Sequence, residues 1–153
     1  MTGRLRAGAG RALITPPVGF PMGGWSNALH ERSFGNDMDL TATVLVVTDG
    51  TTSVAIAELD LCLITDAQAT AMRRAIGEAV GIPAAAVRVT ATHNHSAPVT
   101  GELTGAGWMF EGLEAVDPYV TMVAEQLAGA ARTAWARLEP VTVGHGTGTR
   151  RWP

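Results

Sequence analysis

Residues 43–61 read TVLVVTDGTTSVAIAELDL: two runs rich in β-branched side chains, 43–48 and 53–61, joined by Asp49-Gly50-Thr51-Thr52. Branching at Cβ suits the pleated strand, and an Asp-Gly step between two such runs signals a tight antiparallel reversal, so this stretch predicts a β-hairpin. The elements on either side must then supply the layer that buries one face of that hairpin.

Downstream, Thr65 stands three residues before Gln68 in the pattern of a capping box, and Met72, Ile76 and Val80 recur at four-residue spacing. Gly81 and Pro83 then stop the pattern, which predicts a helix over 66–80. AVRVTAT, residues 86–92, alternates apolar and polar as a strand entering the sheet interior from that helix. A second helix is expected to open at Asp117-Pro118, a capping residue followed by a ring suited to the first helical position. It should run to about Arg137, with Val120, Val123, Leu127, Ala131 and Ala134 on one side. Glu139-Pro140 should end that helix, and VTVG, residues 141–144, should form a short strand. Upstream, residues 3–15 read as a strand interrupted by glycines, which allow close approach of another backbone. Residues 16–39, dense in Pro, Gly and Asn, have no period and form a long loop of the kind that covers or builds a site, with Trp25 and His30 as candidate lining residues. The sum is an α/β layered domain with a mixed β-sheet, in the order strand, hairpin, helix, strand, helix, strand.

The chain has 153 residues, 46% hydrophobic and 16% charged, room for one ordinary domain. That charged fraction is well below the roughly 25% usual in soluble domains. Eleven arginines and no lysine against fourteen acidic residues give a formal charge of −3. This is the wrong sign for sequence-independent attraction to phosphate backbones and argues against a nucleic-acid partner. No run reaches the roughly 18 continuous apolar residues of a transmembrane segment. The opening MTGRLRAGAG lacks the apolar core of a secretory signal, so a cytoplasmic protein is expected. The single Cys62, inside the apolar run LDLCLI, is expected to be a buried and unreactive thiol.

Chemistry concentrates in Thr92-His93-Asn94-His95-Ser96-Ala97-Pro98, directly after a predicted strand. If the chain stays extended here, His93 and His95 project to one face about 6.6 Å apart along the backbone, close enough to address one ion or one substrate. Neutral imidazole is a common zinc ligand, and Ser-Ala-Pro is a rigid exit that would fix the ring directions. Decoration of an exposed strand end is the alternative use of such a pair. The His-x-His signature of barrel-type metal amidohydrolases fits the spacing but not the preceding hairpin or the length, since barrels need about 250 residues.

These segments resemble the amino-terminal part of the neutral/alkaline, non-lysosomal ceramidase family. The likeness runs through GAGRALITPPVGFPMGGW at 8–25, AIAELDLCLI at 55–64, IPAAAVRVTATHNHSAP at 82–98 and VGHGTGTRRWP at 143–153. In that family the histidine segment reads Thr-His-Thr-His-Ser-Gly-Pro, matched here with Asn94 and Ala97 substituted. The resemblance implies a Zn2+-dependent amidase cleaving the fatty acyl amide of ceramide or a related lipid amide. It makes His93 a zinc ligand, and His95 a catalytic residue that orients or polarises the scissile carbonyl or the attacking water. It implies that residues 1–153 are the amino-terminal portion of a larger, incomplete catalytic domain. The remaining ligands, a histidine, a glutamate and a tyrosine, would come from sequence beyond it. Arg150, in a segment similar to the family's Asn-Arg-Arg, becomes a substrate-binding candidate, with Thr149 in place of the asparagine. A family-typical arginine is replaced by Ala42, which leaves the acyl substrate open.

Other residues enter as lesser candidates. Asp60, at the end of the hairpin, is placed to accept a hydrogen bond from His93 and fix its tautomer. His145 lies between glycines at a predicted strand end, and GWMFEGL at 107–113 is an apolar cluster suited either to a lid over an acyl chain or to packing on the second helix. The alternative function is a noncatalytic lipid- or partner-binding module without a complete metal site. A coding sequence that continues past Pro153 with a further histidine and glutamate separates the two. An incomplete domain is also expected to expose an apolar sheet edge or helix face.

Overall fold

A computed structural model of the chain describes residues 5–22, 32–98, 100 and 112–149. Five strands and two long helices follow in the expected order: β1 (Arg6–Leu13), β2 (Thr41–Thr48), β3 (Ser53–Leu59), α1 (Asp66–Val80), β4 (Val87–Ala91), α2 (Val116–Ala136) and β5 (Glu139–Pro140). The sheet order is β4-β3-β2-β1-β5. All neighbours are antiparallel except β3 and β4, which run parallel across the α1 crossover. This is a mixed sheet with helices on one face.

The hairpin forms where its residues dictate. Thr48 pairs with Ser53, and the Asp49 carboxylate accepts the Thr51 and Thr52 N–H groups at 2.8 and 2.7 Å. Those bonds, Thr52 foremost, hold its carboxyl below the usual range. The period of two sends Ala42, Val44 and Val46 of β2 and Ala55, Ala57 and Leu59 of β3 into the core. Helix α1 starts on the expected capping box: Thr65 Oγ1 accepts the Gln68 N–H, and Gln68 Oε1 accepts the Thr65 N–H. It ends with Gly81 at φ 73°, in the left-handed region. Met72 and Ile76 are fully buried, and Val120, Val123, Leu127, Ala131 and Ala134 form the inward side of α2 as the spacing requires.

Three local expectations are corrected. Helix α2 starts at Val116, after a 3₁₀ turn at Leu113–Ala115, so Asp117 lies within the first turn and is not its cap. Pro118 is tolerated because the first four helical N–H groups have no intrahelical acceptor, and the Asp117 charge still favours the helix start. The last strand is Glu139–Pro140, not 141–144; Arg6 and Ala7 of β1 already pair with it as the chain leaves α2. Beyond it, the Val141 N–H donates to the Leu5 carbonyl, and the following residues are irregular. Strand β4 is at the sheet edge, not in its interior, because its crossover returns it beside β3 alone.

Close approach of β1 to α2 depends on two glycines. A Cβ on Gly8 would lie 2.1 Å from the Ala134 carbonyl oxygen, and one on Gly10 would lie 2.0 Å from that of Ala130. The small α2 residues Ala130 and Ala134 complete this interface. Among the described residues no helix covers the opposite sheet face: Leu45, Val54 and Ile56, at 37%, 40% and 43% exposure, point away from the core there. Among the described residues, no helix is long and apolar enough to cross a membrane.

Gly10→Ala should destabilise the fold by about 3 kcal/mol or more, because the helix backbone must retreat to admit the methyl group. Gly129→Ala, on α2 with open space at its Cβ position, should be neutral or stabilising. Urea denaturation of the two variants measures the contrast.

Candidate metal centre

The parallel pair β3 and β4 builds the site at its carboxyl end, where open α/β sheets place ligands. Leu59 and Ala91 are the last partners in register. Pairing then continues without regular strand geometry, as the Thr92 N–H donates to the Leu59 carbonyl at 2.9 Å and the Asn94 N–H to the Leu61 carbonyl at 3.2 Å. These bonds set Cys62 beside His93. The loops are tied further where Gln68 Nε2 donates to the Thr100 carbonyl at 2.6 Å and the Thr100 hydroxyl donates to the Leu63 carbonyl.

His93 and His95 do converge, but not by extension. The strand ends at Ala91, and His93 has φ 61°, the only positive φ of a non-glycine among the described residues. The left-handed region is unfavourable for a side chain bearing Cβ, though histidine enters it more often than most residues. The chain then turns: Asn94 Oδ1 accepts the Ser96 N–H at 2.8 Å, and Ala97 and Pro98 are buried. The two imidazoles meet edge to face, with ring centroids 4.8 Å apart and planes at 75°. Both residues are exposed.

Cys62 lies beneath them. Its residue is 1% exposed, yet Sγ is 3.6 Å from His93 Nδ1, and one ligating atom from each of Cys62, His93 and His95 lies within 4.8 Å of the others. Burial pushes the thiol up from its ordinary pKa. His93 Nδ1 is also 3.2 Å from the Cys62 carbonyl oxygen. As an N–H it donates to that oxygen and leaves Nε2 bare; as a bare nitrogen it accepts from the Cys62 thiol. A thiolate and two imidazoles form a donor set suited to zinc and poorly matched to magnesium or calcium, which take oxygen.

Asp60 does not hold the His93 ring. Its Oδ2 accepts the Thr41 N–H at 2.9 Å and the Thr41 hydroxyl at 2.8 Å, so the carboxylate fastens β3 to β2, and the Cys62 carbonyl takes the place expected of it. Asp60 does line a neighbouring cleft of about 420 Å³, with Met22, Met38 and Asp39 of the long loop and Asn94 and Ser96 of the histidine segment. The loop therefore helps build the site region. Its stem is pinned where the Ile14 N–H donates to the Leu40 carbonyl and the Leu40 N–H donates to Thr15 Oγ1, each at 2.8 Å. His145 is exposed on the irregular segment after β5 and is not in the cluster. Trp25, His30, Arg150 and the 107–111 part of the apolar cluster lie outside the described residues.

Cys62 is the member that sequence reasoning missed. The available signal was topological: a residue three beyond the end of one parallel strand sits beside a residue two beyond the end of its neighbour, Leu59 being partnered with Ala91.

No protein-family model and no curated protein matches the chain. Solved structures do. The neutral ceramidase of Pseudomonas aeruginosa superposes with a TM-score of 0.69, and a ceramidase in complex with C2 with a TM-score of 0.65. Each is 20% identical over 90% of this chain. The chain spans 22% of the length of each ceramidase. At this identity the likeness establishes a shared fold.

His93→Gly should be about 1 kcal/mol more stable than His93→Ala, since only alanine keeps the left-handed penalty. Urea denaturation of the two variants tests this; equal stabilities would mean that the backbone at residue 93 is not held at positive φ.

Proposed function

We propose that this chain is the amino-terminal portion of a ceramidase-like catalytic domain, a zinc-dependent hydrolase of the N-acyl amide bond of ceramide or a related lipid amide. The observation that carries this reading is the meeting of His93 and His95 at the carboxyl end of a parallel strand pair, in a fold shared with neutral ceramidase. The likeness of Thr92-His93-Asn94-His95-Ser96-Ala97-Pro98 to the family's histidine segment supports it independently.

An amide resists hydrolysis because resonance stabilises its carbonyl, so cleavage needs both a strong nucleophile and a stabilised oxyanion. Zinc, when bound, lowers the pKa of its water from 15.7 towards about 7 and polarises the carbonyl oxygen. In this reading an imidazole nitrogen of His93 holds the ion, and the left-handed backbone at that residue aims the ring. His95, exposed beside it, touches the scissile carbonyl or the attacking water and accepts the proton that the water loses. Asn94 keeps the turn between the two rings in shape through its bond to the Ser96 N–H. The adjoining cleft, with Met22, Met38 and Pro98 among its apolar walls, receives part of the lipid amide. Arg150 binds a polar group of the substrate, and sequence outside these residues completes the zinc shell and the catalytic domain.

In the natural gene product, His93→Ala should remove bound zinc and lower N-acyl amidase turnover on the order of a thousandfold, the rate equivalent of several kcal/mol of transition-state stabilisation. Metal analysis and a fluorogenic ceramide assay measure both. Unchanged zinc and turnover in the variant would remove the proposal.

A further inference from the structure

We propose that the rim of the cleft is a lipid-contact surface: Val18 on one limb of the long loop, and Phe34 and Met38 on the other, enter the boundary region of an uncharged bilayer. The contact rests on the lipid-amide reading above and adds the surface from which that substrate is drawn.

Val18, Phe34 and Met38 are 59%, 80% and 77% exposed. The two limbs are joined where the Gly19 N–H donates to the Ser33 carbonyl at 2.8 Å and the Ser33 N–H to the Phe20 carbonyl at 2.9 Å. Val18 and Phe34 are the next residues along, one on each limb. Met38 follows four residues after Phe34 and is also a wall of the cleft, together with Gly35 and Asn36. The exposed apolar side chains therefore follow the mouth of one cavity and are not scattered singly over the surface. Phe20 holds the rim in place, since it is 5% exposed and its ring packs on that of Tyr119 from α2.

A lipid phase suits this rim because little in it resists the loss of water. Residues 12–22 include no charged side chain. Backbone N–H groups are costly to take out of water without acceptors. Between residues 16 and 21, Pro16, Pro17 and Pro21 have no N–H, and the N–H groups of Gly19 and Phe20 already donate to Ser33 and to the Pro17 carbonyl. On the second limb, Arg32 Nη1 donates to the Gly19 carbonyl at 3.0 Å, while Asp37 and Asp39 flank Met38, and Asp39 accepts the Thr15 hydroxyl at 3.2 Å. One cation against two carboxylates offers no attraction to anionic headgroups, so apolar insertion has to supply the binding, and the surface that fits is a neutral or zwitterionic one. An amide with a long acyl chain collects in such a surface because water excludes the chain, and a cleft that opens at the rim receives it without a passage through water.

Flotation of the natural gene product with phosphatidylcholine vesicles tests this. The wild type should float equally at low and high salt, because burial of apolar surface is not screened, and added phosphatidylglycerol should bring no gain. Val18→Ser combined with Phe34→Ser should weaken vesicle binding about tenfold or more. It should also lower turnover of ceramide held in those vesicles while leaving turnover of a water-soluble short-chain N-acyl amide unchanged. A wild type that stays unbound, that floats only with anionic lipid, or that floats no better than the double variant would each overturn the contact. Val18→Ser alone should give a smaller loss in the same direction, and decides the matter if the double variant does not fold. Turnover of the soluble amide without vesicle binding would sink the contact and leave the proposed hydrolase standing, whereas vesicle binding that depends on Val18 and Phe34, with no turnover of either amide, would sink the hydrolase and leave the contact.

Discussion

The backbone hydrogen bonds from Thr92 to Leu59 and from Asn94 to Leu61 are the constraint on which the site depends. They extend the parallel register of β3 and β4 past the ends of both strands, into a region where side chains would otherwise be placed by mobile loops. A parallel pair requires a crossover, and here the crossover is α1, whose capping box and left-handed Gly81 set where the helix starts and stops. A small error in either would shift β4 along β3. Because side chains alternate with a period of two, a one-residue slip would turn His93 away from Cys62.

The same economy is visible across the sheet. Glycines 8 and 10 let α2 approach β1 to backbone contact, so one long helix and one shorter one suffice to cover a face of five strands. Tyr119 links this layer to the loop that borders the cleft: its hydroxyl donates to the Ile14 carbonyl at 2.6 Å, and its ring lies 4.8 Å from that of Phe20, centroid to centroid. Burial pushes the phenol pKa up, which keeps the hydroxyl a donor at any ordinary pH. Helix packing, the stem of the long loop and the approach to the imidazoles are thereby mechanically connected. The other face of the sheet, with Leu45, Val54 and Ile56 exposed, takes no part in that connection.

His93 is both a candidate ligand and a residue with a left-handed backbone. A left-handed backbone at a residue bearing Cβ needs support from its surroundings, and here the bracketing hydrogen bonds, the Asn94 turn and the buried Ala97-Pro98 exit supply it. The result is an imidazole pair that converges within two residues, which a regular strand would hold farther apart.

Local periodicity and turn chemistry were enough to read the hairpin from Asp49-Gly50, α1 from Thr65 and Gln68, the buried side of α2, the layered mixed sheet, and His93-Asn94-His95 as a segment whose two imidazoles converge. Each of those depends on residues near one another in the chain, whose spacing alone states which face is apolar or which N–H is capped. Other features were not legible. The position of β4 at the edge, the diversion of Asp60 to Thr41, the positive φ that brings the rings together and the arrival of Cys62 beneath them all depend on which strand end lies beside which. These follow from how β2, β3 and β4 pair, which brings together Asp60 and Thr41, 19 positions apart, and Cys62 and His93, 31 apart, and so from tertiary structure alone.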